Sequence, residues 1–232
     1  MRDTLIFDFD GTLIDSAPGI LATYAEVLAT AGITPAVSLD QHLIGPPLQP
    51  TMAKLLGDTH KDDALLESLI EDFKLRYATT GVAHTPAYPD ADATLRSLRE
   101  LGYPLYLATN KRAQPTLALL DKFGWHQHFQ GVYCIDSQQP AFADKTEMLD
   151  QLLGEHMLRA EQCLYIGDTH GDYLAATACN IGFIGALWGY EDWQLHPDHA
   201  LMLKQAYNSL AEVAVALHAA HEMHPLKAST LP

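Results

Sequence analysis

Two aspartates separated by one residue end the first apolar run of the chain. Asp8 and Asp10 follow the run that begins at Thr4, and Gly11 and Thr12 come directly after them. Residues i and i+2 of a β-strand point to the same face, so the two carboxylates are expected to lie side by side. Paired carboxylates repel each other unless a proton or a cation lies between them. The pair is therefore a candidate site in which one carboxylate attacks an electrophile and the other carries a proton.

A second acidic pair has the same relation to a later apolar run. Residues 163–166 lead through Gly167 into Asp168, and Asp172 follows four residues later. Gly167 allows a sharp turn, which would place Asp168 at the strand tip and Asp172 one helical turn further on. A helix cap or a first-turn acid explains either aspartate alone, but not a second strand tip with the chemistry of the first. Mg²⁺ fits both pairs, because it prefers oxygen ligands and takes one or two carboxylates together with a substrate phosphate.

Two further segments offer groups that could hold a phosphate, although each is weak by itself. Thr109 and Asn110 follow an apolar run and could donate a hydroxyl and an amide to a phosphoryl oxygen, but Thr-Asn after a strand is more often a helix cap. Lys145 begins a helical pattern, where a lysine is usually a solvated surface residue. The value of these residues depends on whether the fold brings them to the aspartates.

Alternating short apolar runs and helical patterns must position these residues. The predicted strands cover residues 4–9, 104–108, 131–135, 163–166 and 181–184, and the helices between the later ones cover 91–101, 114–123, 145–153 and 173–178. This alternation predicts an α/β fold, a Rossmann-like parallel sheet with helices on both faces. Ligands of such sheets bind beyond the carboxyl ends of the strands, where both acidic pairs are expected.

A helical block interrupts this alternation after the first acidic pair. Residues 20–31, 48–56 and 63–77 have helical spacing, and no strand is evident before about residue 88. A block of about 70 residues is too long for an ordinary connection. We therefore expect residues 1–15 and 89–232 to form the α/β core and residues 16–88 to form an inserted helical domain over the site. Gly45 and Pro46 within it form either a rigid loop that dips toward the site or a plain interhelix turn.

The composition limits the partners and the compartment. The chain of 232 residues has 29 acidic and 14 basic side chains and a net charge of −15, which argues against nucleic acid and anionic membranes as partners. Its three cysteines form no CxxC pair, which is typical of a reducing, cytoplasmic environment. We expect no secretion signal, because Asp3 and Asp8 lie where an apolar region would be needed, and no membrane span.

Taken together, the motifs resemble those of the haloacid dehalogenase-like hydrolase superfamily, in the family's order. They are Asp8-Phe9-Asp10-Gly11-Thr12, Thr109-Asn110, Lys145, and Gly167-Asp168-Thr169-His170-Gly171-Asp172. The helical block resembles the family's small α-helical cap. Within the superfamily the chain is most similar to the phosphoglycolate phosphatase group, which has segments like Ile44-Gly45-Pro46-Pro47-Leu48 and Ala108-Thr109-Asn110-Lys111.

The resemblance implies a catalytic role for five residues. Asp8 would be the nucleophile that forms an aspartyl-phosphate. Asp10 would protonate the leaving alcohol and then act as a base on the hydrolytic water. Thr109 and Asn110 would hold the phosphoryl group, and Lys145 would neutralise it and Asp8. A cap loop at Gly45 and Pro46 would contribute to substrate choice.

The resemblance also implies a magnesium site. Asp8, Asp168 and the main-chain carbonyl of Asp10 would bind Mg²⁺, and Asp172 would support them. The chain departs from many relatives at Thr146, because proline often follows the lysine there, and this residue bears on the geometry of the Lys145 loop.

The expected activity is hydrolysis of a small phosphorylated metabolite, with phosphoglycolate as the leading substrate by resemblance, by a monomer or a homodimer. Asp10 favours phosphate esters over alkyl halides, because an alkoxide leaving group needs a proton and a halide does not. Phosphosugar mutase and pyrophosphatase activities remain alternatives within the same superfamily. A non-enzymatic phospho-switch like a response-regulator receiver domain is an alternative from another class.

Overall fold

A six-stranded parallel sheet forms the centre of the computed structural model, which describes residues 3–57, 62–196 and 199–223. The strands are β1 (Thr4–Phe7), β2 (Leu105–Thr109), β3 (Gly131–Cys134), β4 (Cys163–Gly167), β5 (Gly182–Ala186) and β6 (Ala206–Tyr207). Their order across the sheet is β3-β2-β1-β4-β5-β6, and every neighbouring pair is parallel. The carboxyl ends of β1, β2 and β4 therefore meet at the middle of one edge.

Nine α-helices accompany the sheet within these described residues. They are α1 (Ala17–Thr30), α2 (Leu48–Leu56), α3 (Asp63–Arg76), α4 (Ala91–Glu100), α5 (Ala113–Phe123), α6 (Lys145–Glu155), α7 (His170–Ala178), α8 (His199–Met202) and α9 (Leu210–Met223). A π-helical turn, Tyr77–Gly81, continues α3. None of the helices described is both long enough and apolar enough to cross a bilayer.

The strands are apolar on both faces, as expected for a parallel sheet covered on both sides. Leu5 and Phe7 of β1 belong to one core cluster, whereas Ile6 between them belongs to a second cluster on the other face. All three side chains are fully buried. The sheet is thus held between two apolar layers, which fixes the depth and direction of the strand ends that carry the acidic residues.

The helical stretches between β1 and α4 are connected to the rest of the chain by two segments that run beside each other. Ile14 and Ala87 form an antiparallel bridge, and the amide of Asp15 donates to the carbonyl of Pro86 at 2.9 Å. Residues 16–57 and 62–83 contain no strand. The chain thus leaves the sheet side and returns to it at nearly the same point.

The predicted α/β class and parallel sheet are confirmed, and the differences are local. The first strand was expected to reach residue 9 but ends at Phe7, because the Phe9 carbonyl accepts from the amides of Leu13 and Ile14 in a turn. Strand β6 and helix α9 have no counterpart among the predicted elements. Helix α9 packs on α4, and the hydroxyl of Tyr103, which follows α4, donates to the Leu217 carbonyl at 3.3 Å.

Candidate active site

A cavity of about 710 Å³ opens beyond the carboxyl ends of the central strands. Its lining includes five residues that the sequence singled out as catalytic or phosphate-binding: Asp8, Asp10, Thr109, Asn110 and Lys145. They come from the turn after β1, the end of β2 and the start of α6. Parallel strands bring these segments to one edge, so residues more than a hundred positions apart in sequence share one wall.

Asp8 lies at the bottom of this cavity and is almost completely buried. The ammonium of Lys145 donates to Asp8 Oδ1 at 3.0 Å. Within the described part of the chain, Asp8 Oδ2 accepts no hydrogen bond, although Asp8 lines the cavity. Burial raises the pKa of Asp8 to about 7; Lys145 works against this shift, and Asp172 and Asp10 add to it. Asp8 thus combines one oxygen anchored by Lys145 with one that no described residue holds by a hydrogen bond.

Lys145 is the first residue of α6, and its position is set by the helix cap. The Asp144 side chain caps α6 by accepting from the amide of Glu147 at 2.9 Å. Lys145 is buried and bonds both Asp8 and Asp172. Thr146, the unusual neighbour, is the second residue of a regular helix.

Asp168 is held at the tip of β4, beneath the cavity. Its carboxylate accepts from the hydroxyl of Thr12 at 3.3 Å and from the amide of Tyr190 at 2.9 Å. The side chain is fully buried. Burial, followed by the charges of Asp172 and Asp8, raises the pKa of Asp168 well above its usual value. The chain therefore buries carboxyl groups side by side, and a bound cation would stabilise their charged forms.

Two glycines allow the backbone to approach Asp168 closely. Gly11 has a φ of 77°, and a Cβ there or on Gly189 would overlap the Asp168 carboxyl group. Glycine is thus required at both positions by the space around one aspartate. This explains Gly11 of the first motif, whose function the sequence alone left unassigned.

Asp172 has both a helix-capping bond and a bond to Lys145. It forms a capping box with Thr169 at the start of α7, in which Asp172 Oδ2 accepts from the Thr169 amide at 3.0 Å. Its other oxygen accepts from Lys145. Asp172 is therefore a helix-capping residue of the first turn, as the alternative interpretation predicted. The same side chain also contacts Lys145.

The buried carboxylates fit a divalent cation. One oxygen each of Asp8, Asp168 and Asp172 lies within 4.8 Å of the others. Three oxygens at this spacing match the hard ligand set that Mg²⁺ prefers. Asp172, expected to support the metal, contributes an oxygen to this group together with the two expected side-chain ligands. The Asp10 carboxylate is outside this group.

Asp10 is instead bonded to a lysine that the sequence left without a function. Lys111 Nζ donates to the two carboxylate oxygens of Asp10 at 2.9 and 3.3 Å. The same ammonium lies 2.8 Å from the hydroxyl of Tyr77, which comes from the π-helical turn after α3. Lys111 directly follows Thr109-Asn110 in the sequence. This adjacency is the sequence feature that could have indicated that Lys111 lies near the candidate site.

The remaining candidates lie at the cavity wall. Thr109 is buried, and its hydroxyl accepts from the amide of Lys111 at 3.2 Å, whereas Asn110 is exposed. Gly45 and Pro46 line the cavity in the loop before α2, where Gly45 has a φ of 97°. The loop thus reaches the site, and its part in substrate choice stays a prediction.

The family is decided by comparison with known proteins. A family model described as haloacid dehalogenase-like hydrolase matches residues 5–186, from β1 to the end of β5. The chain belongs to this hydrolase family. This hydrolase is 35% identical over 195 residues to a phosphoglycolate phosphatase of Rhodobacter capsulatus, which covers 82% of this chain and 86% of that protein.

Two further relatives support the family and the fold. A 5'-nucleotidase of Pseudomonas aeruginosa is 30% identical over 187 residues, covering 80% of this hydrolase and 83% of that protein. A haloacid dehalogenase-like family hydrolase from Streptococcus pneumoniae has a TM-score of 0.78 and 25% identity, covering 93% of this chain and 98% of that chain. The predicted family and its phosphoglycolate phosphatase-like group are confirmed, and the hydrolase is a phosphatase.

Proposed function

We propose that the enzyme is a Mg²⁺-dependent phosphomonoester hydrolase that works through an aspartyl-phosphate. The observation that carries this proposal is the environment of Asp8, a residue that lines the cavity. One of its oxygens is bonded to Lys145 at 3.0 Å, while the other accepts no hydrogen bond from the described residues. An anchored carboxylate with a free oxygen is suited to attack phosphorus. A nearby ammonium is suited to balance the charge that phosphoryl transfer spreads over the equatorial oxygens.

In the first half-reaction, Asp8 Oδ2 forms a bond to phosphorus while the bond from phosphorus to the leaving alcohol oxygen breaks. Asp10 gives its proton to that oxygen. In the second half-reaction, water forms a bond to phosphorus and the Asp8–phosphorus bond breaks. Asp10 takes the proton from the water, which restores both aspartates.

The other groups bind and orient the phosphoryl group. Thr109 and Asn110 hold its oxygens, and Lys145 balances their charge together with that of Asp8. Asp8, Asp168 and the Asp10 main-chain carbonyl would hold Mg²⁺, with Asp172 in support. When bound, the ion supplies further positive charge against the phosphoryl oxygens.

We assign residues 1–15 and 89–232 to the catalytic core and residues 16–88 to a cap. The two connecting segments lie beside each other at Ile14 and Ala87, which suits a hinge. The cap supplies much of the cavity wall, including the Gly45-Pro46 loop, so its closure would exclude water and select the substrate. A small phosphorylated metabolite is the expected substrate. Phosphoglycolate is the leading candidate, because several relatives are named phosphoglycolate phosphatase.

The test is a substrate panel with Mg²⁺ and the Asp8→Asn variant. The panel contains phosphoglycolate, a nucleoside monophosphate, a sugar phosphate, pyrophosphate and p-nitrophenyl phosphate. We expect steady release of phosphate, and Asp8→Asn should lower kcat by about 10³-fold or more, since it removes the attacking oxygen. Asp40→Asn, the same charge change at an exposed carboxylate, serves as the control.

Three results would contradict this function. Turnover that survives in Asp8→Asn means that Asp8 is not the nucleophile. A phosphoprotein that lasts for hours without turnover indicates a phospho-switch instead of an enzyme. Transfer of phosphate to a second sugar hydroxyl, without release of phosphate, would indicate a mutase.

A further inference from the structure

Tyr77 and Lys111 connect the cap segment to the proposed proton carrier. Tyr77 Oη lies 2.8 Å from Lys111 Nζ, which donates to both carboxylate oxygens of Asp10. The Lys111 side chain is 5% exposed and that of Asp10 is 16% exposed. The ammonium also lies 4.6 Å from the centroid of the Tyr77 ring. Among the described residues, the hydrogen-bond partners of this buried ammonium are Asp10 and Tyr77.

The local structure fixes Tyr77 at this point. The π-helical turn Tyr77–Gly81 follows α3, and the Tyr77 ring stacks on Phe73 with their centroids 5.7 Å apart. A Cβ on Gly81 would lie 2.8 Å from Tyr77 Cε2, so glycine leaves the ring its space. The hydroxyl also lies 3.4 Å from Thr85 Oγ1. Tyr77 is held from several sides, with its hydroxyl directed at Lys111.

The contacts separate Asp10 from the carboxylates below it. Asp8, Asp168 and Asp172 have oxygens that approach one another, and Lys145 serves two of them. Among the carboxylates of the described residues, Lys111 bonds only that of Asp10. Lys111 thus holds the Asp10 carboxyl group at the cavity wall, apart from the carboxyl groups of Asp8, Asp168 and Asp172.

We propose that Lys111 and Tyr77 are positioning residues for proton transfer by Asp10, an inference that rests on the proposed function. Once Asp10 has given its proton to the leaving oxygen, it is a carboxylate that must keep its place to take a proton from water. Lys111 bonds both oxygens of that carboxylate, and Tyr77 holds Lys111. Because Tyr77 belongs to the cap, the cap takes part in the hydrolysis of the aspartyl-phosphate.

The test uses p-nitrophenyl phosphate, whose leaving group departs without a proton, so that only the second half-reaction needs Asp10. In Lys111→Met we expect kcat to fall about 10- to 100-fold because a general base is misplaced. The value of kcat/KM should stay within about twofold, since it reports the steps up to loss of p-nitrophenolate. A burst of about one equivalent of p-nitrophenolate should appear, with phosphoenzyme trapped by acid quench.

Tyr77→Phe should give the same pattern with a smaller loss of kcat, about 3- to 10-fold, because one hydrogen bond to a charged group is removed. Tyr24→Phe is its matched control, since the Tyr24 ring also packs on Phe73, with the centroids 4.4 Å apart. Lys54→Met, an exposed lysine of the cap, controls for the change in charge.

Asp10→Asn and the double variant Asp10→Asn/Lys111→Met separate the possible outcomes. We expect the double variant to be no slower than Asp10→Asn, because Lys111 acts through Asp10. Losses that multiply, or a Lys111→Met variant that loses kcat/KM but keeps kcat, would overturn the proposal and place Lys111 on the substrate. If Asp10→Asn itself gives no burst, the proposed role of Asp10 fails as well. A burst in Asp10→Asn but not in Lys111→Met refutes the positioning role alone.

Discussion

At the scale of single residues, the site concentrates more negative than positive charge. Four carboxylates face two ammonium groups in a mostly buried space: Asp8, Asp10, Asp168, Asp172, Lys111 and Lys145. The pKa values of Asp8 and Asp168 are raised, because burial disfavours their charged forms. A folded-state pKa above the unfolded value means that stability is lost as the pH rises and these groups ionise. A cation bound to them would offset that loss.

We therefore predict that Mg²⁺ stabilises the fold through Asp168. Adding Mg²⁺ at about 100 times its dissociation constant should stabilise the native state by about 2.7 kcal/mol. This corresponds to a rise in Tm of several degrees for a chain of this size. In Asp168→Asn the rise should be largely lost, while the Tm without Mg²⁺ should not fall, because the variant relieves repulsion. Thermal unfolding with Mg²⁺ and with chelator measures both effects.

Asp40→Asn is again the control, and its response to Mg²⁺ should match that of the wild type. An equal Mg²⁺-induced rise in Asp168→Asn would show that the ion binds elsewhere. A large fall in Tm without Mg²⁺ would show that Asp168 acts mainly through its bonds to Thr12 and Tyr190.

At the scale of elements, a lysine on α5 holds the segment that returns from the proposed cap to the sheet. Lys122, near the end of α5, donates to the carbonyls of Val82, Ala83 and Thr85 at 3.0, 3.0 and 2.8 Å. These carbonyls close the helical stretch after the π-helical turn. A cation there satisfies orphan carbonyls and interacts favourably with the helix end.

Removing this ammonium should loosen the return segment. We predict that Lys122→Met destabilises the protein by about 1 kcal/mol, the scale of a cation at a helix end. Amide exchange at residues 82–88 should become faster, whereas exchange in β1 and β4 should change little. Hydrogen exchange with mass spectrometry is the measurement.

Lys204→Met, the same change at an exposed lysine outside this region, serves as the reference. If Lys122→Met protects residues 82–88 as well as the wild type does, the three carbonyl contacts do not hold the segment. Faster exchange throughout the sheet would indicate a general loss of stability instead of a local release.

The elements also show which local patterns the sequence reveals. Helices α2 and α6 begin where the periodicity predicts, and the strand ends carry the polar residues as expected. The π-helical turn at Tyr77 was not predicted, because its spacing continues that of α3. Strand β6 was not predicted for a different reason. Its two residues are too few to show a pattern of apolar and polar positions, and the strand is defined by its pairing with β5.

At the scale of the whole molecule, the net charge of −15 opposes the approach of an anionic substrate. The cavity lining counters this locally with four cations: Lys74, which pairs with Glu71, and Lys111, Arg112 and Lys145. Lys111 and Lys145 are already bonded to carboxylates, and Arg112 lies 3.0 Å from Asp136. Long-range repulsion should therefore dominate the encounter, since the local cations are largely neutralised.

We predict that salt accelerates the encounter with substrate. Raising the ionic strength from about 10 to 150 mM shortens the Debye length from about 30 to 8 Å, and kcat/KM for an alkyl phosphate should rise about two- to fivefold. Sucrose at equal osmolality should leave kcat/KM unchanged. A kcat/KM that falls with salt would mean that the local cations control the encounter.

The sequence by itself determined the parallel α/β class, the family resemblance and the acidic residues at one edge of the sheet. Buried strands appear in the sequence as short runs of consecutive apolar residues. The polar residues that follow each run are equally visible, because both are features of neighbouring positions. The alternation of strands and helices then implies a common edge for Asp8, Thr109 and Asp168. These conclusions needed no distances, because parallel topology brings the carboxyl ends of strands together.

Only the tertiary structure decided which charges are paired. Lys145 contacts Asp8 and Asp172, whereas Lys111 contacts Asp10, and neither choice is written in the spacing of the residues. The Tyr77 contact joins the π-helical turn after α3 to the residue that follows β2 by two positions. Ion pairs between distant segments depend on three-dimensional distance and burial, since the Coulomb energy varies with both. Such ion pairs can be identified only once the packing of the helices and strands has fixed the positions of the charged side chains.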